Sequence, residues 1–318
     1  MATIVENIQT LQSIKTDIKD AIISKGVSVG NDFRTYAQAI TDLPSGGGGG
    51  TEMEDTFVQR TLSGYYSNDR VSIVGDYAFT SYSTLTSVNF TNCTSVGSGA
   101  FFYCTALTSV NLPNCTTVGI SAFYNCTALT SIDLTNCTTV GSYAFSKCKA
   151  LTSVNLPNCT SVYEFAFYSC SALTSVYIPK CTSVSYFEFG DCKALTSIDF
   201  PNCTTVGGYA FTNCKALTSV NLPNCTSVYE FAFEYCSALT SVYIPKCTYI
   251  YYYAFRNCTN LTQVYLNSVT MVTIISSNTF SNCPNLTSVY VPSSLVNAFK
   301  VESYWSSISN KIVAYTEG

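Results

Sequence analysis

The chain contains no histidine at all, and charged residues make up only 11% of it. The first absence removes the commonest general base and the usual nitrogen ligand for metals. No Cys-x-x-Cys pair occurs either, so the thiolate spacing of zinc and dithiol redox sites is missing. Basic residues are scattered singly, 15 Lys and Arg against 19 Asp and Glu, which argues against a nucleic-acid-binding stripe. No run approaches the roughly 18 apolar residues of a membrane span. Nothing after Met1-Ala2-Thr3 reads as a basic segment followed by an apolar core. Those two absences predict a chain made in a cytosol and kept there unless something larger carries it out. The glycines Gly46 to Gly50 lack a following helix with a Lys-Ser/Thr partner, so they are no phosphate loop. No catalytic residue, cofactor or metal is expected.

What the chain has in quantity is cysteine, 17 in all. From Cys93 to Cys258 one falls at every eleventh residue, and every second one belongs to the same 22-residue sentence. Leu85, Leu107, Leu129, Leu151, Leu173, Leu195, Leu217, Leu239 and Leu261 share the 22-residue spacing, and Leu286 follows after 25, an insertion of three. A period in this range marks a solenoid, in which each unit buries its apolar face only against its neighbours. The cysteine count is odd and no signal peptide is evident, so buried, reduced, structural thiols are expected, with no disulfides.

Within one unit, Leu85-x-x-Val88-x-Phe90-x-x-Cys93-x-x-Val96 has the spacing of a leucine-rich repeat. Val88 and Phe90 alternate inward on a short strand while Ser87 and Asn89 face out. Gly97 to Cys104 then directs Ala100, Phe101 and Cys104 inward from a turn or short helix. Phenylalanine recurs every 22 residues from Phe79 to Phe255 and predicts one aromatic layer along the core.

The ends differ from the array. Ile4, Ile8, Leu11, Ile14, Ile18 and Ile22 step by three and four residues, with charges between them, and predict an amphipathic helix. Gly26 fits its C-cap, and Asn31-Asp32 can cap a second helix through Leu43. The organisation that follows is a helical hairpin over 1–44 and a glycine-rich tether over 45–51. A hairpin cap and half repeat over 52–79, the solenoid over 80–292 and a C-terminal cap over 293–318 complete it. So small a hairpin cannot stand alone, and it is expected to dock on copies of itself or on a partner.

The run Ala150-Leu-Thr-Ser-Val-Asn-Leu-Pro-Asn-Cys-Thr-Ser-Val-Tyr-Glu-Phe-Ala-Phe-Tyr-Ser-Cys170 resembles the BspA-like leucine-rich repeats, and the likeness covers residues 71 to 292. The usual form of that family is a little longer per repeat and poorer in cysteine. The segment from Leu11 through Ile40 is similar to the N-terminal anchoring segment of many bacteriophage tail and appendage proteins. Val291 to Trp305 resembles the capping end of such repeats. Together the resemblances imply a virion-associated adhesion protein of a phage, assembled in the host cytoplasm. Residues 1–43 would hold other virion proteins, and the solenoid would engage a host-surface glycan or protein. A cell-surface adhesin of a bacterium or protist, and an intracellular protein-binding scaffold, are the alternatives.

Candidate contact residues are the tyrosines that break the repeat. Tyr177, Tyr243, Tyr265 and Tyr290 take an outward strand position held elsewhere by Asn or Asp, and Tyr163, Tyr229, Tyr251 and Tyr252 sit in the turn. Tyrosine combines a flat apolar face with a hydroxyl, which suits protein and sugar surfaces; it is equally a plain solvent-facing strand former. Residues 155 to 182 and 221 to 248 are near-copies that differ only at Tyr168/Glu234 and Ser169/Tyr235. Denatured without reductant, the chain is expected to titrate close to its full 17 thiols, and a count near zero would overturn the reduced core.

Overall fold

A computed structural model describes residues 64–268 and 270–315. The expected helical hairpin, the glycine-rich tether and the first part of the cap segment, residues 1–63, lie outside the described residues.

Every 22 residues the chain completes one turn of a coil of short segments, and two of those segments are strands. In one turn these are Ser109–Asn111 and Thr117–Val118. Each pairs in parallel with its equivalent one turn away: Val88 faces Val110 and Val110 faces Ile132, while Val96 faces Val118 and Val118 faces Val140. The longer strands build one ladder in three stretches, from Gly64–Ser67 to Ile312–Tyr315, and the shorter ones build a second ladder in two. A period-2 strand with only its middle residue buried explains the triplets Ser-Val-Asn and Ser-Ile-Asp, whose outer members face water.

The third side is built from turns alone, where the sequence allowed a short helix. Alternate N–H groups point to the next coil: Gly99 donates to Ile120 O at 2.8 Å, Phe101 to Ala122 O at 2.7 Å and Tyr103 to Tyr124 O at 2.9 Å. The residues between them close local turns, as Phe102 N–H does on Gly99 O at 3.0 Å. The backbone enters the left-handed region at two positions four residues apart in successive coils, and Gly99 and Tyr103 both have φ near 60°. The same two columns recur in later coils, occupied almost entirely by residues other than glycine, as at Phe165 and Ser169. A side chain in that left-handed region costs about 1–2 kcal/mol, which the ladder of bonds to the next coil offsets.

Inside, like residues lie on like. Phe79, Phe101, Phe123, Phe145 and Phe167 stack with centroids 5.0 to 5.4 Å apart and planes within 5°. The column continues through Phe255 to Phe280. Both cysteine columns are buried and every thiol is free. Their Sγ–H groups serve carbonyls the ladders leave under-used: Cys126 donates to Phe101 O at 3.1 Å, and Cys115 to Thr117 O at 3.3 Å. A residue the size of serine, apolar enough for a dry core yet with a weak donor, fits both needs. Burial pushes the thiols of Cys104, Cys115 and Cys170 up to about 12, so they stay protonated and inert.

The ends close the core differently from the coils. Gly64–Ser67 runs parallel to Leu85–Asn89 and Ile73–Val74 joins the short ladder, so this segment supplies both strands of a coil where half a repeat was expected. At the other end a short helix, Val296–Val301, places Phe299 against Trp305 at 5.1 Å. Trp305 is fully buried, reaches Phe280 at the end of the core column, and donates its indole N–H to Val272 O at 3.0 Å. The chain then returns as Ile312–Tyr315 to extend the long ladder by one strand.

Replacing Phe167 by Ala opens a hole in the middle of the aromatic column and is expected to destabilise the solenoid by about 3–5 kcal/mol. Tyr163→Ala, at a residue 50% exposed, should change stability by less than about 0.5 kcal/mol. Urea unfolding followed by circular dichroism compares the two, and equal midpoints would contradict the stacked core.

Candidate functional site: exposed aromatic columns

The 22-residue register turns single surface residues into columns, and groups of exposed aromatics result, among them Phe102, Tyr103 and Tyr124 near the first coils and three further groups along the later ones. On the long ladder Tyr243, Tyr265 and Tyr290 stand in register. Tyr265 stacks on Tyr290 at 4.6 Å and lies 6.1 Å from Tyr243. Tyr315, which sequence reasoning passed over, approaches Tyr265 edge-on at 6.4 Å. Gln263 ties the group together, accepting from the Tyr265 hydroxyl at 3.0 Å. Tyr177 stands apart on the same face, between Asn155 and Asp199.

Beside the short ladder, Tyr229 and Tyr251 stack at 4.6 Å with planes 8° apart. Tyr163 occupies the same column without a ring neighbour, since its flanking equivalents are Gly141 and Ser185. The eight tyrosines singled out in the sequence therefore do not form one surface. Three meet on the long ladder, two beside the short one, Tyr252 belongs to a third group, and Tyr163 and Tyr177 are solitary.

The third group is the largest and was missed. Along the turn side Tyr143, Phe165, Phe187, Tyr209, Phe231 and Tyr253 form a continuous stack with successive centroids 4.6, 5.0, 4.5, 4.6 and 5.1 Å apart. All six have positive φ, from 50° to 59°. Backbone reversal throws these side chains outward, where each lies half-buried against its neighbours. Tyr186 and Tyr252 pack edge-on against the stack, at 4.9 Å from Phe187 and 5.5 Å from Phe231. The signal was available as an aromatic every 22 residues from 143 to 253, but the run is hidden by the alanine and phenylalanine core columns just after it.

Charge gathers on this side as well. Arg256 donates through Nε to Glu234 Oε1 at 2.6 Å and forms an ion pair with it, and its guanidinium lies 4.5 Å from the Tyr253 centroid and 5.3 Å from that of Phe231. Asp191 accepts from the Asn213 amide. Among the described residues no cluster of three or more His, Cys, Asp or Glu is placed to hold a metal, and no helix is long and apolar enough to cross a membrane.

Two stacked parallel ladders with a buried phenylalanine column define a leucine-rich repeat solenoid. The chain belongs to the BspA-type leucine-rich repeat family, whose sequence model matches residues 72–193 and 182–309. Proteins of this family are typically surface or adhesion proteins, and the solenoid is typically a protein-binding scaffold and not an enzyme. Solved structures with a similar fold include a T. pallidum leucine-rich repeat protein, 23% identical with a TM-score of 0.46, covering 48% of this chain and 77% of that one. A leucine-rich cell-surface protein of Faecalibacterium prausnitzii is 22% identical at a TM-score of 0.37, covering 78% and 91%. A leucine-rich repeat protein of Bacteroides ovatus is 20% identical at 0.44, covering 81% and 85%. No curated protein sequence matches significantly.

One buried carboxyl departs from the pattern. Glu188 stands where other coils carry Ala100, Ala122, Ala144, Ala166, Ala210, Ala232 and Ala254. It is 1% exposed, and its Oε2 accepts from the Ser185 N–H at 2.7 Å. Burial holds this carboxyl well above the usual glutamate range. The folded state therefore binds the proton more tightly than the unfolded chain, whose value is about 4.3. The resulting contribution to stability is fully present below that value and is lost as pH rises through the folded pKa. Glu188→Ala is expected to raise the melting temperature more at pH 8 than at pH 5, measured by thermal circular dichroism. An equal shift at both would contradict a protonated buried carboxyl.

Proposed function

We propose that this protein is an adhesion rod of a bacteriophage particle that grips a protein or glycan at the host surface. The observation that carries the adhesive part is the six-ring stack from Tyr143 to Tyr253. Aromatic rings already ordered by their neighbours lose little freedom on binding, and exposed Tyr and Phe dominate the energetics of protein contacts. The stack favours protein over sugar as the ligand, because its ring faces cover one another and only edges and hydroxyls meet solvent. Sugars that stack need an open face. The Tyr265–Tyr290 group on the long ladder offers a second, smaller contact.

The virion part rests on the sequence of residues 1–43, which resembles phage anchoring segments. Ile4, Ile8, Leu11, Ile14, Ile18 and Ile22 supply the apolar stripe for another virion protein or for copies of the chain, and Gly46 to Gly50 supply the tether. Placement at the virion surface gives an adhesion module a route to the outside. A cell-surface adhesin is the second reading, favoured by the habit of the family.

Full-length protein and a variant lacking residues 1–43 should bind host cells equally, while only the full-length chain should co-purify with phage particles. Loss of both together, or particle binding by the truncated form, would sink the division of labour. Phe187→Ser combined with Tyr209→Ser is expected to weaken cell binding by about 2 kcal/mol, roughly thirty-fold, with the melting temperature as control. Unchanged binding would remove the turn side from the adhesive surface.

A further inference from the structure

The turn side carries a shallow groove of about 430 Å³ between the aromatic stack and the column that holds Asp191 and Asn213. Phe187 and Tyr209 form one wall, Asp191, Asn213 and Glu234 line the rest, and Lys215 stands in the lining too. Thr212 lines the groove in a column that carries Phe102, Tyr124, Tyr168, Glu234 and Arg256 in other coils and Ser146 and Gly190 in two more. At Gly190 itself no room is left, because a Cβ there would come within 2.8 Å of the Phe187 ring and 3.2 Å of Tyr168, so the open space lies beside Thr212.

The protein itself shows what such a place holds. Two coils further on, Arg256 occupies the position equivalent to Thr212. Its guanidinium sits beside the stacked pair Phe231 and Tyr253, at 5.3 and 4.5 Å from their centroids, and pairs with Glu234. With the two rings 5.1 Å apart, those distances keep the cation within the roughly 6 Å reach of a cation–π contact to both. At the groove the same wall recurs, Phe187 and Tyr209 stacked at 4.5 Å, with Thr212 in place of the arginine; the counterpart of Glu234 is Gly190, and the nearby carboxylate is that of Asp191, one residue further on. Asp191 spends one acceptor site on Asn213 and lies close enough to the Tyr168 phenol to help burial push it up. A carboxylate has about four acceptor sites, so it can still take a forked donor.

We propose that this groove receives an arginine side chain of the protein to which the rod adheres. Its guanidinium packs against Phe187 and Tyr209, as that of Arg256 does against Phe231 and Tyr253, and pairs with Asp191 in place of Glu234. Arginine suits the place better than lysine, because its planar fork pairs with a carboxylate through two donors and its weakly hydrated, flat group packs on aromatic surface. Lys215 disfavours a run of basic residues, so the occupant is a single arginine. This rests on the adhesive reading above, deepening it from a surface to a contact chemistry.

The test titrates the full chain with acetyl-Gly-Arg-Gly-amide and with its citrulline, lysine and glutamate counterparts, following ring signals of carbon-labelled tyrosine by NMR. The Tyr209 signal is assigned by its loss in Tyr209→Phe. The arginine peptide should shift it saturably, with the citrulline peptide bound at least about tenfold more weakly for want of the charge-assisted fork. Asp191→Asn should weaken the arginine peptide about fivefold or more. Thr212→Arg, which supplies an arginine from within as position 256 does, should abolish the response while leaving the circular dichroism unchanged. Equal shifts with arginine and citrulline, a preference for the glutamate peptide through Lys215, or indifference to Asp191→Asn would each overturn the proposal. If Thr212→Arg fails to fold, the citrulline and Asp191→Asn comparisons still decide. Host-cell binding that survives Asp191→Asn unchanged would refute the arginine seat while leaving the adhesive reading standing.

Discussion

The structure depends on one constraint, that the backbone returns to the same place after 22 residues with its hydrogen-bonding groups aimed at the previous and next coils. Parallel pairing of two strands per coil meets that constraint on two sides, and the alternating turns meet it on the third. Once the register is set, every position in the repeat becomes a column along the axis. Identical residues then lie about 5 Å apart. That spacing suits flat rings, which stack, and small thiols, which fit beneath a carbonyl. It suits charges badly, since like charges in a column repel. The low charge of the chain and its single ion pair among the described residues follow from the same geometry.

This geometry also determines what could be read in advance. Inward columns were legible because they are strict: Leu85, Val88, Phe90, Cys93, Val96, Phe101 and Cys104 recur with few changes, and all are buried. Their period alone implied parallel rungs, a phenylalanine layer and two lines of thiols. The turn side was not legible. A left-handed residue is usually sought as glycine or asparagine, and here Tyr143, Phe165, Phe187, Tyr209, Phe231 and Tyr253 hold that conformation. The bonds to the next coil that permit it are long-range and leave no mark in local propensity. For the same reason the tyrosines judged from outward strand positions were only partly grouped. Tyr163 and Tyr177 needed a neighbour one coil away that the sequence replaces with Gly141, Ser185, Asn155 and Asp199.

Departures from a strict column mark where the array does something other than repeat. Glu188 among alanines introduces a buried carboxyl with one backbone partner, a cost in stability that no core argument favours. Ser146 leaves its buried hydroxyl unpartnered among the described residues, and nothing around it explains why. Gly190 stands in the same column as Ser146, and a Cβ on it would come within 2.8 Å of the Phe187 ring. Two of these three changes fall within three residues of one another, in the coil whose outer rings are Tyr186 and Phe187. At Gly190 a copy of the neighbouring side chains has no room as the rings stand, so the glycine goes with the placement of Phe187 and Tyr168.

The near-copies at 155–182 and 221–248 sharpen the same point. Duplicated segments start identical, and changes are tolerated anywhere that packing permits, which on a solenoid means the whole outer surface. Yet the two differences that separate them, Tyr168 against Glu234 and Ser169 against Tyr235, are adjacent and lie on the turn side. Glu234 acquires Arg256 as its partner, and Tyr235 joins the lining of the groove. Tyr168 instead packs edge-on against Phe165 and Phe187. The same position therefore offers a ring in one copy and a carboxylate in the other, on an otherwise identical frame. Tyr177 and Tyr243, on the long ladder, are the same residue in both copies, so the divergence lies wholly beside the aromatic stack.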